Sequence, residues 1–160
     1  HQERITRLAS GVAVIKVGAA TEVEMIEKKH RIDDALEAVH SAQEEGIVPG
    51  GGISLLKSVS DIEIKTDNDE QALGAKIVIE AVEEPIRQMA KNAGLSPDLV
   101  VQQVRETTTF NHGMNFLTGD IVNLLDSGVI DPVKVTKCAL QNAVSVSSTI
   151  ITTSHAIVSS

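Results

Sequence analysis

The stretch EEGIVPGGGISLL, Glu44 to Leu56, decides how this chain is read. One helical pattern stops at Gly46 and another starts after Gly52, with three glycines in tandem, Gly50 to Gly52, between them. Glycine loses the most backbone freedom on ordering, so such a run implies that something needs bare backbone there. Two uses compete. A tight turn or a close helix approach excludes side chains, and so does an anion or nucleotide held against N–H groups at a helix N-terminus. The run is not a Walker A loop, because no Gly-Lys-Ser/Thr follows, and it is not GxGxxG.

Upstream, Thr21-Glu22-Val23-Glu24 fits a capping box, in which the Thr21 hydroxyl takes the Glu24 amide and the Glu24 carboxylate reaches back. From there to Glu45 the pattern is helical. Met25, Ile32, Leu36 and Val39 share one stripe, and Glu24–Lys28 and Glu27–Arg31 are i, i+4 pairs in the favourable order. Gly46 is the expected stop. Before this helix, Gly11 and Gly18 bracket Val12 to Val17, a β-branched run that reads as a strand buried on both faces. Gln2 to Leu8 reads as the end of a helix.

Downstream, Ile53 to Val59 predicts a short helix and Asp61 to Asp69 a solvated connection. Glu70 to Asn92 reads as helix, with Pro85 either kinking it or opening a second one, and Gly94 closing it. Ser96-Pro97 caps and opens a helix to about Arg105. Thr107 to Thr118 reads as strand or loop, and Ile121 to Leu125 as a short helix stopped by Gly128. Asp131-Pro132 repeats the cap-and-proline signature ahead of a last long helix, whose β-branched tail SVSSTIITTSHAIV predicts a closing strand. The stripe Ile77, Val78, Val82, Ile86 and Met89 is expected to pack on Val135, Leu140, Ala143 and Val144. The fold class is therefore mainly α with a small α/β part.

Composition narrows the function. The 160 residues suffice for one domain or parts of two, and 42% of them are hydrophobic, enough for a core. A net charge of −8 argues against nucleic acid, and two Phe with no Tyr or Trp leave almost no stacking platform. Apolar runs are only a few residues long, so no membrane span is expected. The chain opens His1-Gln2-Glu3-Arg4, without Met or a leader, and reads as mid-protein sequence. Cys138 stands alone, which excludes a disulfide framework and fits a reducing compartment. The histidines show neither i, i+4 pairing nor HExxH, so no metal is assigned to them.

Three places invite chemistry. Gly50 to Gly52 is the first. Asp33-Asp34 in mid-helix is the second, since aspartate is a poor interior helix residue. Asp33 falls opposite the apolar stripe, whereas Asp34 lies nearer Ala35 and Leu36, where its carboxylate can point into a cleft and orient a water; two solvated acids are the plainer reading. Asp131 is the third: a helix N-cap by its signature, yet able to accept hydrogen bonds from a sugar's hydroxyls. Near it, Asn115 in HGMNF can offer an amide to a base or ribose, or simply form a turn.

GVAVIKVGAATEVEMIEKKHRIDDALEAV followed by EEGIVPGGG resembles the group I chaperonins, the GroEL-type family of ATP-driven folding machines. The likeness continues in register through NAG, VNLLDSGVIDPVKVTKCALQNA and ITT, so it spans essentially the whole chain. It implies residues 1–12 as the end of an apical domain, 13–44 as the returning segment of an intermediate domain, and 45–160 as the C-terminal half of an equatorial ATP-binding domain. It implies too a double ring of identical subunits, with a co-chaperonin and unfolded client proteins engaged through an apical domain that lies outside this chain. By position, Asp34 matches the family's catalytic aspartate, Gly51 the glycine against which adenosine lies, Asn115 and Phe116 the base-side pair, and Asp131 the aspartate holding the ribose hydroxyls. Phe116 and Leu117 stand where the family carries small residues. The family's phosphate loop and magnesium-binding aspartate have no counterpart here, so the implied cofactor is ATP with Mg held by an N-terminal part. The parent is expected to hydrolyse ATP in the cytoplasm or an organelle matrix, and the 160 residues alone are expected to be inactive. The rival from another class is a stand-alone helical interaction or assembly module of chaperonin descent, without ATPase activity.

Overall fold

The computed structural model describes residues 13–157, apart from the side chain of Asp61. The expected helix end at Gln2 to Leu8 lies outside the described residues. The chain divides into two compact units between Glu37 and Ala38.

In the first unit, helix α1 (Glu22–Glu45, continuing past the division) starts as its capping sequence predicts. The Glu24 N–H donates to Thr21 Oγ1 at 3.2 Å, which is half of the capping box. Of the two expected ion pairs, Glu27–Arg31 forms, while Lys28 Nζ instead donates to the Gly18 carbonyl at 3.3 Å. Val12 to Val17 requires correction: residues 13–17 form no strand, and Val14 is 76% exposed. A β-branched run becomes a strand only where a partner takes its backbone groups, and no described strand pairs with this one. Instead Ala13, Ile15 and Val17 line a shallow groove with Met25, Ile26, Ile32 and Leu36 of α1.

The second unit begins with the last residues of α1. Gly46, at φ 85°, donates its N–H to the Ala42 carbonyl at 2.8 Å and ends that helix in a left-handed conformation. Strand β1 (Ile47–Pro49), α2 (Ile53–Ser58), α3 (Asp69–Ala81), α4 (Glu84–Asn92) and α5 (Pro97–Glu106) come next. Then follow β2 (His112–Asn115), β3 (Asp120–Asn123), β4 (Ile130–Pro132) and α6 (Val133–Ile151). Pro85 sits in the first turn of α4, so the alternative in which it opens a second helix is the one realised. Past α4, Gly94 at φ 72° lets the Leu95 N–H return to the Ala90 carbonyl at 2.9 Å.

Three expectations fail. Ile121 to Leu125 is not a helix: Ile121 and Val122 lie in β3, paired antiparallel with Met114 and Gly113. Five residues offer too little length for helical periodicity, and a β-branched pair beside a neighbouring strand pairs instead. The tail of α6 is helix through Ile151 rather than strand. Its hydroxyls stay within the helix: Ser148 Oγ donates to the Val144 carbonyl at 2.8 Å and Thr149 Oγ1 to that of Ser145 at 3.1 Å. The two long stripes do not close on each other. Val82 and Ile86 are buried, but Ile77 is 59% and Val135 51% exposed, and the faces of α3 and α6 line an open apolar groove of about 560 Å³.

The core lies elsewhere. Ile53 and Leu56 of α2 meet Ile86 and Ala90 of α4, Val100, Val101 and Val104 of α5, Met114 of β2, and Leu124. Fully burying each large side chain among them contributes about 1.5–3 kcal/mol. Glu83 ties α4 to α5 by accepting from Arg87 Nε at 3.2 Å and from Arg105. This core holds the glycine turn in place.

Candidate functional site

Two small antiparallel ribbons flank the glycine turn. In one, β1 pairs with β4 and sets Val48 opposite Asp131. In the other, β2 pairs with β3 and sets Asn115 opposite Asp120. Ser54 Oγ closes the turn from below by donating to the Pro49 carbonyl.

Each of the three glycines has its own reason. Gly50 is buried and donates its N–H to the Val129 carbonyl at 2.9 Å; a Cβ there would stand 3.3 Å from that same oxygen. Gly52, at φ 75°, caps α2, and a Cβ would lie 3.0 Å from the Ile86 backbone nitrogen. For these two the question of what approaches so closely has a plain answer: the protein itself does. Gly51 differs. It needs glycine for its φ of 67°, but a Cβ would meet only ordinary contacts, 3.4 Å from the Met114 carbonyl oxygen and 3.6 Å from Leu124 Cδ1. Gly51 and Gly52 are both half-exposed, but only at Gly51 does no atom approach closely, so only there is room left beside the backbone.

Asn115 ends β2. Its Oδ1 accepts the Leu117 N–H at 3.0 Å, so the turn-forming role is realised, while its Nδ2 donates to no described residue. Phe116 is half-buried and packs against the core, whereas Leu117 is exposed. Phe116 is therefore a structural ring at the base of this corner.

Asp131 is not the helix cap its sequence suggested. It lies within β4, and Pro132 occupies the cap position of α6 without a side-chain hydrogen bond. Proline fixes φ but its ψ here is 132°, extended rather than helical, which delays the helix by one residue. The Asp131 carboxylate is thus left half-buried, accepting no hydrogen bond from a described residue, and burial raises its pKa above the usual aspartate value. An acceptor in that state is short of donors.

The end of α1 meets the start of α6 beside it. The Val133 N–H donates to the Gly46 carbonyl at 3.1 Å, Lys134 pairs with Glu44, and Lys137 Nζ reaches Glu45 at 2.5 Å. The Lys134 partner lowers the pKa of Glu44, and Glu44 in turn raises that of Lys134.

Gly51, Asn115, Phe116 and Asp131 all fall in the second unit, on the turn and the ribbons around it. Asp34 lies in the first unit, exposed on α1. Among the described residues no three His, Cys, Asp or Glu side chains gather as a metal set would, and no helix is long and apolar enough to cross a membrane. Gly113 carries no signal in the sequence, yet a Cβ there would come 2.7 Å from Ile53 Cγ2, so it fixes how closely β2 lies on α2.

A family model described as the TCP-1/cpn60 chaperonin family matches residues 3–160. Among solved structures, the chain is similar to one described as "Crystal structure of group III chaperonin in the open state", with a TM-score of 0.76 and 27% identity over 92% of this chain. The chain spans 32% of the length of that structure's chain.

Proposed function

The chain belongs to the TCP-1/cpn60 chaperonin family, and from that premise we propose that it is the C-terminal portion of a group I, GroEL-type subunit whose ring couples ATP hydrolysis to folding of other proteins. Residues 13–44 are then the returning intermediate segment and 45–160 the C-terminal half of the ATP-binding equatorial domain. The observation that carries the reading is the Asp131 carboxylate, half-buried and without a donor among the described residues, on the strand that pairs with the lead-in to the glycine turn. Ribose hydroxyls would supply those donors, the free Asn115 amide would face the base, and Gly51 would admit adenosine to van der Waals distance. On the same reading, the groups that hold phosphates and magnesium belong to the N-terminal part of the subunit. Asp34 orients the attacking water, since phosphoryl transfer is catalysed by positioning and charge stabilisation rather than by covalent chemistry. Identical subunits, a co-chaperonin and unfolded clients are the partners, and the cytoplasm or an organelle matrix is the compartment.

The two aspartates separate in a kinetic test on the full-length subunit. Asp34→Asn should leave ATP affinity nearly intact and slow hydrolysis about a hundredfold or more, the scale of a lost acid–base group. Asp131→Ala should weaken nucleotide binding instead. Equal loss of affinity in both variants would sink the assignment, and ATP turnover by the 160 residues alone would sink the division of the site between two halves.

A further inference from the structure

Lys57 sits in the last turn of α2, half-buried, and its ammonium donates to three acceptors in one segment. They are Thr107 Oγ1 at 2.6 Å, the Thr109 carbonyl at 2.6 Å and the His112 carbonyl at 2.7 Å. With Arg105 and the hydroxyls of Thr107 to Thr109 it lines a small cavity that looks like an anion cradle. It does not work as one. All three Nζ donors are engaged, and Arg105 is paired with Glu83.

The three bonds have a geometric result. Helix α2 starts at the glycine turn and ends one residue past Lys57, and β2 lies along it in three successive contacts. Gly51 faces the Met114 carbonyl, Ile53 fills the space left by Gly113, and Lys57 holds the carbonyl of His112. Lysine at the far end thus fixes where β2 sits along α2. That register sets the spacing between Gly51 and Asn115. Burial lowers the Lys57 pKa, because the ammonium is partly withdrawn from water.

We propose that Lys57 is a positioning residue of the nucleotide site, holding β2 in register so that Asn115 and Gly51 bound the same adenosine-sized space. The proposal rests on the reading of that corner as the adenosine site. Its test uses the full-length subunit with two probes, ADP and inorganic pyrophosphate, each with magnesium. Lys57→Met should raise the Kd for ADP about tenfold, the scale of losing hydrogen bonds to a charged group, and leave the pyrophosphate Kd unchanged. Lys57→Arg keeps the charge but offers a planar fork in place of three convergent donors, and should raise the ADP Kd about threefold. If Lys57→Met does not fold, Lys57→Arg decides. A merely structural lysine would lower the active fraction for both probes together, and unchanged ADP affinity in the folded variants overturns the proposal. Failure of the unsubstituted subunit to bind ADP at all would overturn the adenosine reading itself, and this inference with it.

Discussion

Helices α4 and α5 bury Ile86, Ala90, Val100, Val101 and Val104, whereas α1, α3 and α6 bury nothing among their described residues. All five carry apolar positions at helical spacing. The difference is in their neighbours. Short α4 and α5 are folded back on each other around the Gly94 turn and closed below by α2 and the β2–β3 ribbon. Long α3 and α6 only face one another across an open apolar groove. Amphipathicity says which side of a helix seeks cover; topology decides whether cover arrives.

The sharpest way to break this contrast is truncation on each side of it. Ile86→Ala should destabilise the 160-residue chain by about 3 kcal/mol in urea titration, because a fully buried side chain leaves a cavity. Ile77→Ala on the exposed face of α3 should change it by less than about 0.5 kcal/mol. Comparable losses at both positions would mean that the groove is closed in solution.

Within the closed region, the glycine turn tests whether the protein's own packing dictates glycine. Gly52→Ala combines a positive φ with backbone atoms of Ile86 that cannot yield, and should cost about 2 kcal/mol. Gly51→Ala should cost less, near the αL penalty of about 1 kcal/mol, since its contacts are ordinary. The reverse order would place the tight approach at the wrong glycine.

At the edge of that region, Asp131 sharpens the comparison through pH. Its folded pKa is raised by burial, so the folded chain holds this proton more tightly than the unfolded chain does. Stability from this group is therefore full below the ordinary aspartate range and is lost as pH rises through the folded value. Asp131→Asn should show a slightly higher Tm at neutral pH, and the gain should vanish in acid. A gain that grows on acidification would reverse the sign and refute the desolvated carboxylate. The smallest effect belongs to the α1–α6 junction, where Lys137→Met should shift stability by no more than about 0.5 kcal/mol, the worth of an exposed pair.

Local punctuation was legible before any coordinates. Gly46, Gly94, Ser96-Pro97 and Pro85 each mark an end or a start that the structure keeps, because their effect acts within a few residues. The misreadings share an opposite origin. Ile121 and Val122 pair with β2, and a two-residue signal cannot say which neighbour will arrive. The Ser/Thr-rich end of α6 carries strand-like composition, yet its hydroxyls find carbonyls one turn back. For the candidate site, Gly51, Asn115 and Asp131 follow from the family likeness alone, and the sequence does not give their geometry. What demands glycine at positions 50 and 52 is Val129 and Ile86, both remote in sequence.

The groove between α3 and α6 also bears on how the chain behaves at different salt concentrations. From Cys138 to Ile157 there is no Asp, Glu, Lys or Arg, so the −8 charge that keeps copies of the chain apart resides elsewhere on the surface. Mutual repulsion between copies is screened within about 10 Å at 0.1 M salt, while the attraction between neutral apolar faces is not. Raising ionic strength therefore removes the barrier to association and leaves its cause in place. Self-association is expected to grow as salt is raised, and sedimentation that shows no difference between low and high salt would refute it.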